Sequence, residues 1–154
     1  MTFDSFIKKY SQKGLIKRQE VDFKSIENHI ARALKEIEIS KANLTIDEGN
    51  AYTVAYTAIL HAGRALMFLK RFRPSNGYQH KTVVEFCSII LGNKYKQLTQ
   101  HFDRMRRKRN IFTYQVVISI SKTEVRNALK TAKEFVQMIK DIAEKANPQY
   151  KFKF

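Results

Sequence analysis

The sequence predicts an all-α fold, an antiparallel four- to five-helix up-and-down bundle with a short extra helix at the N-terminus. Three features point there. Apolar residues recur at helical spacing over long segments, only two prolines and five glycines interrupt 154 residues, and helix-start signals precede several periodic stretches. Four or five long amphipathic helices joined by short loops bury their apolar stripes most simply as a bundle, which leaves room for few strands.

Taken in order, Phe3, Phe6, Ile7 and Tyr10 have the i, i+3, i+4, i+7 spacing of a short amphipathic helix over 2–13, ended by Gly14. From Asp22, an N-cap residue, Ile26, Ile30, Ala33, Leu34 and Ile37 form one stripe on a helix reaching about Lys41. Thr45 and Glu48 have capping-box spacing and open the longest helix, over about 46–71. There Ala51, Ala55, Ala58, Ala62 and Ala65 recur at intervals of four and three, beside Tyr52, Tyr56, Ile59, Gly63 and Leu66. Small residues on one face admit a close neighbour, so this helix is expected at the centre.

"RFRPSNGYQH" is the clearest break, because Pro74 disfavours helix at Arg73 and Ser-Asn-Gly supplies a turn. A helix over about 79–91 then carries Val83, Phe86, Cys87 and Ile90 inward and closes at Gly92-Asn93. The next starts near Lys94 and runs into a basic segment. Ser121 and Glu124 form a further capping box before a last stripe of Val125, Ala128, Leu129, Ala132, Phe135, Val136, Ile139, Ile142 and Ala143, ended by Pro148. The run "QVVIS" at 115–119 is β-like but too isolated to form a sheet, and reads as a connector or irregular helix end. The chain divides into an N-terminal helical extension over 1–20, a bundle over 21–147 and a basic, aromatic tail over 148–154, with no internal repeat or linker.

The net charge of +15 implies an anionic partner, with nucleic acid or nucleotide ahead of an acidic protein and a membrane surface. Cys87 is the only cysteine and lies among core-type residues in "VVEFCSIIL", which excludes an internal disulfide and any zinc site needing two thiolates. The N-terminus lacks a signal-peptide apolar region, and no apolar run approaches ~18 residues, so a cytoplasmic location and no membrane partner are expected. No metal-ligand spacing and no Gly-rich phosphate loop occur, and no metal or cofactor is expected.

"RMRRKRNIFTY" places five cations in six consecutive positions, Arg104 and Arg106, Arg107, Lys108 and Arg109. At ~100° per residue, Leu98, Phe102, Met105 and Phe112 cluster within roughly 80° of one another, and Arg109 falls inside that arc. Arg104 and Arg107 point elsewhere, while Arg106 and Lys108 lie just beyond its edges. Four cations therefore reach solvent, whereas Arg109 is aimed at the bundle or a subunit interface. A guanidinium stays charged and is costly to desolvate unpaired, so Arg109 requires a carboxylate, a phosphate or a wet groove.

The stretches "AYTVAYTAILHAGRALMFL", "RPSNGYQHKTVVEF" and "RNIFTY", in that order, resemble the HEPN domain, over roughly 25–145. The resemblance implies a bundle of HEPN type and frequent dimerisation. For many members it also implies metal-independent RNA cleavage in toxin–antitoxin or defence systems, often with a nucleotidyltransferase-fold partner. The family's site is an Arg, usually followed by a polar residue and, after four to six residues, a His. Arg109 and Asn110 match its first part, and Tyr114 stands where the His belongs. The resemblance thus assigns a catalytic set of Arg109, Asn110 and Tyr114. A phenol of pKa ~10 is a poor general base at neutral pH where an imidazole near ~6.5 is a good one. Tyr114 can still hydrogen-bond a phosphate oxygen. Five residues span ~140° of a regular helix, so Arg109 and Tyr114 converge only if the helix unwinds near Ile111 or two subunits share the site.

Arg104, Arg106, Arg107 and Lys108 form the expected nucleic-acid-binding face, with His80 and Lys81 at a helix start, where an anion meets exposed amides, and His101 one turn before the basic run. His29 and His61 read first as surface or hydrogen-bonded core histidines. Asp47 and Glu48 read as helix-start charges. The tail "NPQYKFKF" suits either base stacking or docking on the protein's own body. The sequence supports three functions. One is an RNA- or nucleotide-binding HEPN dimer with endoribonuclease activity. The others are a catalytically silent HEPN module paired with a nucleotidyltransferase, and a structural bundle that meets an acidic protein. The helices are too long, and their turns too loose, for a DNA-reading helix-turn-helix.

Overall fold

The computed structural model describes residues 1–116 and 119–154. Among the described residues six helices and one two-stranded ribbon follow one another as α1 (Phe3–Gln12), β1 (Ile16–Arg18), α2 (Phe23–Asn43), α3 (Glu48–Leu69), β2 (Phe72–Pro74), α4 (His80–Leu91), α5 (Lys96–Tyr114) and α6 (Lys122–Ala146), with a 3₁₀ turn at Asn93–Tyr95. The all-α bundle with an extra N-terminal helix is the observed class. Val117 and Ile118 of the β-like run lie outside the described residues, while Gln115 and Val116 are exposed and non-helical.

The caps explain the boundaries. Asp22 accepts hydrogen bonds from the amides of Lys24 and Ser25, and Ser121 accepts one from Glu124 at 3.1 Å, as the sequence predicts. At α3 the expected Thr45–Glu48 box does not form. Asp47 caps instead, its carboxylate accepting the Asn50 amide at 3.0 Å, because the chain before it turns back through bonds from the Ile46 and Asp47 amides to the Asn43 carbonyl. α5 likewise starts two residues late, since 93–95 close as a 3₁₀ turn after Gly92, whose φ of 69° suits glycine.

The α3 alanines are fully buried, with Tyr52, Tyr56, Ile59 and Leu66 beside them, and α3 packs on α2, α4, α5 and α6. It is the central helix. Gly63 faces α4 so closely that an added Cβ would stand 2.8 Å from Cγ1 of Val83. That contact fixes the α3–α4 separation.

The ribbon was not anticipated, since "RFRPSNGYQH" reads only as a break. β1 and β2 pair antiparallel, with Ile16 opposite Pro74 and Arg18 opposite Phe72, and Arg71 turns the chain into β2 at φ 69°. Three-residue strands carry too little alternation to be read from sequence. Their effect is to hold α1 against the bundle, where Phe6 is buried and meets the Phe86 ring edge-on at 5.9 Å. The N-terminal segment thus shares the core. The tail also docks, with Tyr150 and Phe152 against Phe23 and the Lys153 amide donating to Glu27 at 2.7 Å.

Candidate nucleic-acid interface

Rotation of α5 is set by its apolar residues. Phe102 and Met105 are fully buried, and Phe112 packs edge-on against Tyr52 with ring centroids 5.6 Å apart. Arg109, in the same arc, is consequently half-buried, while Asn110 is exposed.

The basic run is not a uniform solvated face. Arg106, whose side chain is only 14% exposed, and Arg107 both bind Asp103, at 2.9 and 2.8 Å. Arg106 is thereby tucked in rather than freely solvated, because Asp103 one turn earlier draws it along the helix. Lys108 reaches Glu124 of α6 at 2.6 Å. Arg104 is exposed and lines two grooves. One, of about 710 Å³ between α4 and α5, also holds Lys81, Lys96 and Arg107, with Glu85 and Asp103. The other, of about 520 Å³ between α5 and α6, holds His101, Lys108 and Lys130. Lys81 sits 3.9 Å from Glu85, and His101 Nδ1 is 2.7 Å from the Thr131 hydroxyl, so both predicted binders line grooves on either side of α5.

Among the described residues no carboxylate lies within ion-pair distance of Arg109. It borders a shallow cleft of about 280 Å³ with Asp47, Asn50, Thr53, Phe112 and Thr113, but the Asp47 carboxylate is engaged as the α3 cap. Arg109 is left half-buried and without an ion-pair partner among the described residues.

α5 stays helical through Tyr114, so the unwinding near Ile111 that would let the two residues converge within one chain does not occur. Arg109 and Tyr114 are therefore ~140° apart on one helix, and one chain alone does not join them. Tyr114 is 89% exposed, next to exposed Ile111 and Val116.

What the structure does bring toward Arg109 is a set on α3 and α4. His80 Nδ1 lies 3.0 Å from the buried Tyr56 hydroxyl, and Arg64 donates to the Gly77 carbonyl at 3.2 Å. The imidazole pKa is held below its ordinary value by burial first, then by the Arg64 and Arg109 charges and, more weakly, Arg106, with the Gly77 carbonyl opposing. Burial pushes the Tyr56 phenol well above its usual range, while Arg109, Arg106 and Arg64 pull it back. α5 lies against the same pair, the Phe102 ring 5.9 Å from that of Tyr56, with Arg106 and Arg109 one and two turns further along the helix. Sequence reading missed Arg64 and Tyr56. Arg64 had a signal of the same kind as Arg109, being the single Lys or Arg in α3, set between Gly63 and Ala65 on an otherwise apolar helix. His61 is different, since its Nδ1 bonds Glu36 at 2.6 Å between α2 and α3, an internal pair.

No helix among the described residues is long and apolar enough to cross a membrane, and no group of three or more metal-ligating side chains occurs among them. No curated protein and no solved structure matches the chain. Residues 26–142, most of the bundle, match the HEPN domain. On that match, the order of its helices and the Arg-Asn pair near the end of α5, the chain belongs to the HEPN domain family, whose members are generally linked to nucleotides and RNA.

Proposed function

We propose that this HEPN protein binds RNA or a nucleotide through the basic face of α5, with Arg109 at the centre, Arg106 and Asn110 beside it, and Arg104, Arg107, Lys108, Lys81 and His101 along the two flanking grooves. The observation that carries this reading is the half-buried Arg109 without a carboxylate, when Arg106, Arg107 and Lys108 around it are all paired. A guanidinium lacking a counterion gains more from a phosphate than one already paired with a carboxylate does. The protein acts as a homodimer. The exposed Ile111, Tyr114 and Val116 beyond Arg109 support this, and a second copy can bring the Tyr114 that its own helix directs away. In that dimer Arg109 stabilises the pentacoordinate phosphate of 2′-OH attack, and Tyr114 hydrogen-bonds a phosphate oxygen.

The test is anisotropy of a fluorescent single-stranded RNA over a salt series, with wild type and Arg109→Ala. Loss of one charge-assisted contact, about 1.5–3 kcal/mol, weakens binding roughly ten- to a hundredfold. Equal affinity of the two proteins refutes the reading. Incubation of both with mixed RNA tests cleavage, and identical backgrounds would end the endoribonuclease version.

A second reading is favoured by Tyr114 itself, a phenol in the motif's histidine position: a catalytically silent binding module that partners a nucleotidyltransferase in a toxin–antitoxin or defence pair. A small nucleotidyltransferase reading frame beside this gene supports it, and measured RNA turnover by the pure protein excludes it.

A further inference from the structure

Helix α5 lacks a group that exchanges protons near neutral pH at the motif's terminal position, but the tertiary fold places one nearby. His80 begins α4, directly after the loop whose Gly77 carbonyl takes a hydrogen bond from Arg64. The Tyr56 hydroxyl, on a side chain 1% exposed, meets its Nδ1 at 3.0 Å. From α3 the groups facing the imidazole are Tyr56 and Arg64. From α5 they are Arg109 and Arg106, the latter with Asp103, and from the preceding loop the Gly77 carbonyl. On α4 itself, Lys81 is turned toward Glu85.

We propose that Arg64, Arg106, Arg109 and His80 form one phosphate-binding nook in which His80 takes up a proton as the phosphate binds, its ring steadied by the Tyr56 hydroxyl. The inference rests on the reading of α5 as an RNA- or nucleotide-binding face and assigns to it a residue outside the α5 motif. The chemistry is that of a phosphate surrounded by guanidiniums, whether it belongs to an RNA strand or a free nucleotide.

Without ligand, burial and the neighbouring cations keep the imidazole neutral at pH 7, and they make a second positive charge unwelcome. A bound phosphate reverses the balance, because its negative charge offsets the guanidiniums and favours the imidazolium. The Tyr56 partner accommodates both states. A hydroxyl donates to the unprotonated Nδ1 and, once the ring is charged, accepts from Nδ1–H. Proton uptake then needs no rearrangement of the core around Tyr56.

By linkage, a ligand that raises the pKa of His80 binds more tightly as pH falls through that range. If the bound phosphate raises the pKa by about one unit, affinity gains about three- to sixfold between pH 7.5 and 5.5. Two probes separate the ligand sources, a fluorescent single-stranded RNA and AMP, each titrated at both pH values against wild type, His80→Gln and Arg109→Ala. Glutamine retains a hydrogen-bond partner for Tyr56, and far-ultraviolet circular dichroism checks folding. The expected result is that His80→Gln binds no more tightly at pH 5.5 than at pH 7.5, so that the ratio of its two affinities falls to about one, whereas Arg109→Ala is weak at both. A second readout is the His80 ring Cε1–H signal in NMR, whose titration midpoint rises on addition of RNA or AMP while that of His29 does not move. An acid gain that survives in His80→Gln, or an unmoved His80 midpoint in the ligand-bound protein, overturns this inference and leaves the α5 reading standing. Failure of wild type to bind either probe overturns the α5 reading and this one with it.

Discussion

Gly63→Ala tests the contact that sets the spacing of the helices bearing the site. Gly63 is inside α3, where an added Cβ would stand 2.8 Å from Val83 Cγ1, 3.1 Å from Cys87 Sγ and 3.6 Å from Phe102 Cε2. Val83 and Cys87 are fully buried, and a β-branched valine has few alternative rotamers in a helix, so the neighbours cannot simply yield. Two effects oppose. Alanine in place of a helical glycine contributes up to about 1 kcal/mol of helix propensity. Overpacking a tight contact costs about 1–3 kcal/mol. The net expectation is a loss near 1 kcal/mol, which for a chain of this length lowers Tm by about 2–4 °C. Urea unfolding followed at 222 nm measures it, with Val83→Ala as the second arm of a double-mutant cycle. In the Val83→Ala background the 2.8 Å clash is gone and the 3.1 Å contact with Cys87 Sγ is the tightest left, so Gly63→Ala costs clearly less there than in the wild type. Stabilisation by Gly63→Ala alone, or an equal cost in both backgrounds, refutes the packing argument. The result also bears on the site, because displacing α4 stretches the Tyr56–His80 bond.

Stability should fall on acidification from pH 7 to 5. His29, His80 and His101 all have folded pKa values held below the ordinary one, with burial the largest cause in each. The unfolded chain therefore binds more protons as pH drops through about 6.5, and each of these histidines disfavours the folded state more as it does so. A Tm that is flat or rising toward pH 5 contradicts the assignment. Ser121→Ala removes the acceptor of the Glu124 amide and should cost about 1 kcal/mol in urea unfolding. Tyr114→His restores the motif's proton-exchanging group and should raise cleavage of mixed RNA about 10²-fold over wild type, scored on denaturing gels. No gain would separate this chain's site from the family's. Arg107→Ala removes a cation already paired with Asp103, so RNA binding should weaken only about two- to threefold, with a shallower salt dependence.

Local signals gave the bundle away because they are local physics. Asp22 and Ser121 cap as read, the α3 alanines bury as their spacing requires, and the arc containing Phe102, Met105 and Phe112 correctly turns Arg109 inward. Thr45 failed as a cap because a better placed carboxylate lay two residues on, and capping-box spacing alone does not choose between them. The ribbon failed because its strands are joined across 53 intervening residues, between Arg18 and Phe72, a pairing no local window contains. Arg106 was misread for a smaller reason, since its helical angle is right at the edge of the arc and the Asp103 partner decides the outcome. The Tyr56–His80–Arg64 set was beyond any motif, because two helices, α3 and α4, supply it across an intervening strand and loop. His80 showed in the sequence only as a histidine at a helix start.

His80 has an evident structural use, since a fully buried phenol needs a partner and the imidazole provides one at 3.0 Å. That use alone does not account for its surroundings. An asparagine or a serine would satisfy the Tyr56 hydroxyl equally well, and a purely structural imidazole is better placed away from cations. Here Arg64, Arg109 and Arg106 all act against its protonated form, and neither Arg64 nor Arg109 has a carboxylate partner among the described residues. Paired cations on the same helix show that carboxylates were available where only neutralisation was needed, as at Asp103 and Glu124. Positive charge gathered around a partly buried, titratable ring, with Arg106 paired but Arg64 and Arg109 not, is an unfavourable arrangement until an anion enters it.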